Sequence, residues 1–116
     1  MIQTKRVYDE ASDKDGFRVL VDRLWPRGLT KEKAHVDLWM KEIAPSDGLR
    51  KWFHHEDRDW GEFVKRYKTE LALKRELLSE LKKVAAEHST VTLLFGSKDE
   101  KQNQAMVLAM LLKGKK

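Results

Sequence analysis

The sequence predicts an α/β fold: a small, mostly parallel sheet of about four strands flanked by helices. Three observations predict it. Short β-branched and aromatic runs recur at Ile2–Tyr8, Phe17–Asp22, Val36–Met40 and Thr90–Phe95. A long stretch of helical period separates the third run from the fourth, and an apolar helix follows the last. The resulting order, β-β-α-β-α-α-β-α, suits a parallel sheet, whose neighbouring strands need long and commonly helical connections.

The first strand is Ile2–Tyr8. The segment from Asp9 to Gly16 is polar and ends in glycine, which reads as a loop. In the second strand Phe17, Val19 and Val21 alternate with Arg18, Leu20 and Asp22. Pro26 biases Trp25 away from helix and ends the run. Thr30 caps a short helix over Lys31–Ala34. Val36–Met40 alternates again as a third strand, after which Pro45 and Ser46 open a short helix with Ser46 as its N-cap. From Asp59 the apolar period is helical: Trp60, Phe63, Val64, Tyr67 and Leu71, then Leu77, Leu78, Leu81, Val84 and Ala85. Lys74 falls where the stripe should persist, so two helices with a bend at Ala72–Lys74 are expected. Asp59 and Glu62 have the form of a capping box, and Glu62 with Arg66 is a favourable i,i+4 pair. Val91–Phe95 is the fourth strand and stops at Gly96. Ser97-Lys98-Asp99-Glu100 has the S-x-x-E form, which predicts a helix from Lys98 to about Leu112. Its second half is apolar on nearly all sides, which predicts cover from both the sheet and neighbouring helices.

The 116 residues form a single domain, 1–116, large enough for one ordinary core. Hydrophobic residues at 41% and charged residues at 37% describe a soluble globular chain. The longest apolar run, Ala105–Leu112, falls far short of the ~20 residues of a membrane helix, so no membrane partner is expected. Met1–Arg6 shows no signal-peptide core, and cytoplasmic residence is the expectation. The absence of cysteine excludes disulfides, thiolate catalysis and Cys-based metal sites. A net charge of +5 would help attract phosphate-bearing partners. It is not the concentrated basic patch that alone argues for DNA binding. The tail Lys113–Lys116 reads as a solvated, frayed end.

The run Val19–Gly28 locates a candidate site. It begins as a buried strand and ends as a polar turn, and open α/β sheets build binding sites at the carboxyl ends of their strands. The second strand ends at Asp22-Arg23 and the last at Gly96-Ser97-Lys98. If the two are parallel neighbours, their ends converge on one rim. A helix opening at Lys98 would aim free backbone N–H groups there, an anion site. Arg23, Arg27 and Lys98 would add charge, and the planar arginine fork suits carboxylate or phosphate. Ser97 and Asn103 complete the ligand-binding candidates, with Trp25 as the floor of the pocket or a dimer anchor. Gln102 also reaches this rim. Asp22 and Asn103 are the candidate catalytic residues. A neighbouring arginine would lower the pKa of Asp22, leaving a weak base and a better orienting group. The same residues have structural alternatives: Asp22 and Arg23 fixing a turn, Ser97 and Glu100 satisfying a helix start.

Trp39, Trp52, Phe53, Trp60, Phe63 and Tyr67 read as core by their helical spacing, and Trp52-Phe53-His54-His55 lines the pocket if its helix leans over the rim. No metal site is expected. His54 and His55 are adjacent and diverge by ~100° on a helix, and His55-Glu56 has no second histidine at zincin spacing. P-loop, G-x-G-x-x-G and G-x-S-x-G motifs are absent, and no cofactor is implied. Three functional readings stay open. The first is a pocket for an anionic small molecule of phosphate or nucleotide type, with or without catalysis; no activated nucleophile is visible. The second is a nucleic-acid-binding accessory protein using its positive face. The third is a homodimeric interaction module built on Trp25 and the tryptophan-rich middle.

The run Val21–Gly28, Val-Asp-Arg-Leu-Trp-Pro-Arg-Gly, resembles the signature of the YeaO-like group of the domain-of-unknown-function family number 488. Leu38–Ser46, Leu49–His55, the set Trp60, Phe63, Tyr67, Glu70 and Leu71, and Thr92–Asp99 with Asn103, Ala105 and Leu108 carry the resemblance over nearly the whole chain. It implies the same α/β fold and assigns no activity. Longer members of the wider family have an early Asp-Val-Arg and Pro-Arg arrangement and a late loop with Cys and His-Arg. This chain has neither that Cys nor the His-Arg, so thiol chemistry cannot transfer. The resemblance implies a shared rim between the turn after the second strand and the turn after the last.

Overall fold

The computed structural model describes residues 1–55 and 59–113, with the backbone alone at His55. The expectations for the His55-Glu56 pair and for residues 114–116 lie outside the described residues. Four strands, β1 (Ile2–Arg6), β2 (Phe17–Leu20), β3 (Leu38–Trp39) and β4 (Val91–Phe95), form one parallel sheet in the order β1-β4-β2-β3. Five α-helices accompany it: α1 (Lys31–Ala34), α2 (Asp47–His55), α3 (Trp60–Ala72), α4 (Arg75–Glu87) and α5 (Gln104–Lys113). Helices α2 to α4 connect β3 to β4, and α5 follows β4. All five residues of the inner strand β4 are buried, which is why its sequence is mostly apolar rather than alternating; its one polar residue, Thr92, donates its hydroxyl to the Asp15 carbonyl at 2.6 Å.

The two faces of the sheet are covered differently. Val19, Val91, Leu93 and Phe95 join the main core with Phe53, Phe63, Tyr67, Leu81 and Leu108, so α2 to α5 all pack on this side. Leu20 and Leu94 belong to a smaller cluster with Val7 and Ala34, against which Trp25, Leu29 and Val36 pack. Beside that cluster the thin face is polar. Asp15 and Arg18, each only 4% exposed, form an ion pair. Asp15 also accepts from Lys5 Nζ at 3.1 Å and from the Ser12 backbone N–H at 2.9 Å. Arg18 donates its remaining N–H groups to the carbonyls of His35 (2.8 Å) and Ala34 (2.9 Å), tying α1 to the sheet. Burial alone would raise the Asp15 carboxyl. The Ser12, Lys5 and Arg18 hydrogen bonds, with the Lys5 charge, hold it below its ordinary value. Gly16 ends this turn at φ +66°, where a Cβ would run into the Thr90 carbonyl.

Several expectations need correction. β1 ends at Arg6 and β2 at Leu20, short of the expected Tyr8 and Asp22. Trp39, expected in the core, is 36% exposed, its indole donating to the Asp22 carbonyl at 2.8 Å. β3 spans two residues, not Val36–Met40. The Arg18 N–H, which a longer strand would donate to the Val36 carbonyl, goes to Asp37 Oδ2 at 2.9 Å. The last helix starts at Gln104, six residues after Lys98. Ser97 Oγ accepts from the Asp99 N–H, and Asp99 Oδ1 accepts from Lys101 and Gln102. These local turns satisfy the backbone without a helix, and Asn103 Oδ1 caps the true start by accepting from Met106 N–H at 3.0 Å. That helix is also covered less fully than its composition suggests, with Met110 46% exposed. The bend at Ala72–Lys74 is present. Lys74 breaks the apolar stripe because its ammonium turns inward, donating to the carbonyls of Glu42 (2.9 Å) and Ala44 (3.1 Å). Among the described residues no helix is long and apolar enough to cross a membrane.

Candidate functional site

β2 and β4 are parallel neighbours, with Leu20 opposite Leu94, so the segments that follow them meet at the carboxyl edge of the sheet. Asp22 makes the junction. Its Oδ2 accepts from the Gly96 N–H at 2.8 Å, and its Oδ1 accepts from the Gln104 amide at the start of α5. The approach needs glycine: a Cβ on Gly96 would lie 2.9 Å from Asp22 Oδ2. Arg6, at the end of β1, fixes the far side of the same loop by donating to the carbonyls of Ser97 (2.9 Å) and Gly96 (3.3 Å).

A cavity of about 160 Å³ opens beside Asp22. Its apolar lining comes from Leu24, Ala44, Pro45, Phe53 and Phe63, with the two phenyl rings 4.4 Å apart. Its polar lining comes from Asp22, Arg23, Arg50, His54, Ser97 and the amides of Gln102, Asn103 and Gln104. One wall is held from behind. The Tyr67 hydroxyl donates to the Ile43 carbonyl at 2.7 Å, and Ser46 donates its N–H and hydroxyl to Glu70 at 2.8 and 2.6 Å. Ser46 Oγ in turn accepts from the Leu49 N–H at 3.2 Å, so it caps α2 as the sequence predicts.

Of the sequence-predicted residues, Asp22, Arg23, Ser97 and Asn103 meet at this cavity, together with Phe53, His54 and Gln102. Lys98 stands outside it, on a shallow neighbouring depression with His54, Ser97 and Asp99. Trp25 and Arg27 do not line it. The Trp25 indole donates to the Leu29 carbonyl at 2.7 Å and packs on the thin-face cluster, and Arg27 is exposed beyond that turn. The row of helix N–H groups expected at Lys98 is absent, because that segment is a loop. Arg23 lines the cavity, but its Nε and Nη2 donate to the carbonyls of Pro45 (3.3 Å) and Ala44 (3.2 Å). Its Nη1 lies 3.6 Å from Glu42.

The lowered carboxyl expected for Asp22 is not found, because burial outweighs the arginine effect. Burial raises its carboxyl to about 6, against the lowering pull of the Gly96 N–H, the Gln104 amide and the Arg50 charge. Arg23 turns its guanidinium to the wall, and the hydrogen bonds that reach Asp22 come from neutral donors. Burial also lowers the Lys74 ammonium, with the nearby Arg23 charge adding to the effect.

Sequence reasoning missed Arg50 and Gln104. Arg50 Nη2 lies 3.3 Å from Asp47 on the surface of α2, but its Nε is buried and finds no acceptor among the described residues. An arginine three residues after an aspartate on a short amphipathic helix reads as an ordinary surface pair, so the sequence holds no signal for that buried donor. Gln104 was assigned to the interior of a helix that in fact begins with it.

The family model DUF488-N3i, described as "Inactive DUF488-N3 subclade", matches residues 1–115. The uncharacterized protein YeaO of Escherichia coli strain K12 is 48% identical over 108 residues, 93% of each chain. The uncharacterized protein Rv3073c of Mycobacterium tuberculosis strain H37Rv is 40% identical over 114 residues, covering 98% of this chain and 95% of that one. No solved structure matches the chain.

Proposed function

The chain belongs to the YeaO-like DUF488 family, and on that premise we propose that it binds a small anionic ligand in the carboxyl-edge cavity without turning it over. The observation that carries this reading is Arg50 on the wall of the cavity, a guanidinium whose buried Nε has no acceptor among the described residues. Buried polar groups are almost always satisfied, and an unsatisfied one calls for an explanation. A carboxylate or phosphate oxygen supplies the missing acceptor through a charge-assisted bond. Arg23 contributes positive field to the same wall.

Size narrows the ligand. An engineered cavity of roughly 150 Å³ takes up benzene, so the enclosed part of this ligand has about six to eight non-hydrogen atoms. A phosphate or a short carboxylic acid fits inside, whereas a nucleotide would leave most of itself outside. Two points support binding without turnover. The matching family model is described as inactive. The candidate catalytic groups already hold the local structure: Asn103 caps α5, and Asp22 accepts from the Gly96 N–H and the Gln104 amide.

The test is a thermal-shift and calorimetric titration of the full chain with inorganic phosphate and with small carboxylates. Ligand bound to the native state raises the melting temperature by linkage. Stabilisation of the wild type that vanishes in Arg50→Gln is the expected result. Equal stabilisation of both proteins, or of neither, would overturn the proposal.

A further inference from the structure

We propose that the ligand carries an amino group beside its anionic group: a small apolar α-amino acid, with its carboxylate on Arg50 and its nitrogen on Asp22. This inference rests on the anion reading above and specifies its chemistry.

Among the described residues, Asp22 is the one acidic side chain that lines the cavity. A pocket for an anion alone is weakened by a carboxylate on its wall, since like charges repel and the repulsion grows as water is excluded. A ligand with a positive or donating group next to its anion turns that repulsion into attraction. Asp22 has the capacity to accept. A carboxylate offers about four acceptor positions, and here the Gly96 N–H occupies one on Oδ2 and the Gln104 amide one on Oδ1. The nearest arginine in sequence, Arg23, is directed at the Ala44 and Pro45 carbonyls and at Glu42. Arg50 lines the same cavity, and its guanidinium keeps a buried Nε with no acceptor among the described residues. An acid and a cation that face one cavity, each with unused capacity, match the two ends of a zwitterion. Phe53, Phe63, Leu24 and Pro45 give the side chain an apolar seat. The volume of about 160 Å³ sets the size at alanine to valine, with leucine at the limit and tryptophan beyond it. Phosphate is the poorer match, because it places net negative charge beside Asp22 and has no positive group to face the carboxylate.

The experiment is calorimetric titration of the full wild-type chain at pH 7 with L-alanine, L-valine and L-leucine. Each is compared with its deaminated acid, its α-hydroxy acid and its decarboxylated amine, and inorganic phosphate is included. At least one amino acid should bind, with removal of either charged group weakening it by about ten- to a hundredfold, the range of a charge-assisted hydrogen bond. Asp22→Asn should lower the amino acid to the level of its deaminated acid and leave that acid unchanged. A deaminated or hydroxy acid that binds as tightly as the amino acid, or phosphate alone binding, would overturn this inference while the anion reading stands. Binding of the amines alone, or of none of these compounds, would overturn both. The comparison among ligands uses only wild-type protein, so it decides the matter even if Asp22→Asn fails to fold.

Discussion

Two aspartates close the two ends of β2, and they are treated in opposite ways. Asp15, before the strand, is surrounded by Lys5, Arg18 and the Ser12 N–H, and its carboxyl is held below its ordinary value. Asp22, after the strand, meets a glycine N–H and a glutamine amide, and burial lifts it to about 6. Both are withdrawn from water. At the first the chain supplies two cations; at the second it supplies neutral donors, and Arg50 lines the adjoining cavity with a buried Nε that has no acceptor among the described residues. The contrast separates a charge that holds the fold from a charge left available to a ligand.

The largest effect should come from the first region. Asp15→Ala leaves Arg18 buried without its partner, and breaking a buried pair in this way costs about 3–5 kcal/mol. Urea denaturation at pH 7 measures it, and a loss below 1 kcal/mol would mean that the thin face is not fastened by this pair. Leu94→Ala, in the fully buried cluster beside the same belt, should cost about 2–5 kcal/mol through the cavity it leaves. A near-neutral result would show that the thin face is not a packed layer.

Effects at the second region should be smaller and of a different kind. Asn103→Ala removes the cap of α5 and should cost about 1 kcal/mol. Ser97→Ala should cost less, because Ser97 closes a local turn rather than a helix start, and an equal or larger loss would move the helix start back toward Lys98. Arg50→Gln should leave the melting temperature nearly unchanged and remove ligand binding, while Arg27→Ala should change neither. Loss of binding in Arg27→Ala would place the site on the exposed turn.

The pH response follows with its sign. The folded value of Asp22, about 6, lies above its ordinary 3.8, so the folded protein holds more protons than the unfolded chain between those limits. Its contribution to stability therefore falls as pH rises from about 4 to 6. Asp15 is shifted downward, so its contribution is complete above about 4 and is lost as pH falls through its lowered folded value. Melting temperatures of wild type and Asp22→Asn across pH 3–8 should converge at the acid end and separate through pH 4–6, with wild type losing ground. Parallel curves would contradict the assignment.

Much of this arrangement was legible in the sequence. Alternation in Phe17–Val21 and the mostly apolar run Val91–Phe95 place β2 and β4, and Gly96 marks where the last strand stops. Their convergence locates the rim and brings Asp22, Arg23, Ser97 and Asn103 to it. What stayed hidden depends on direction rather than residue type. Consecutive residues near a strand end point to opposite sides, so Arg23, adjacent to Asp22 in sequence, reaches the Pro45 wall instead of its neighbour. The S-x-x-E pattern at Ser97 is not used as a capping box: Ser97 accepts from Asp99, Asp99 from Lys101 and Gln102, and Asn103 caps the helix that follows. Arg18 sits at an alternating polar position of β2 that a half-exposed sheet would leave in solvent. The loop carrying Asp15 folds over it, and local pattern does not encode that contact.

The most direct measurement is a carbon-detected NMR titration of the Asp15 and Asp22 carboxyl groups in one sample of the full chain. Asp22 should titrate near pH 6 and Asp15 below 3.8. An Asp22 carboxyl that titrates at or below Asp15 would mean that the chain already neutralises it, and the distinction between a fold-holding and a ligand-facing aspartate would fail.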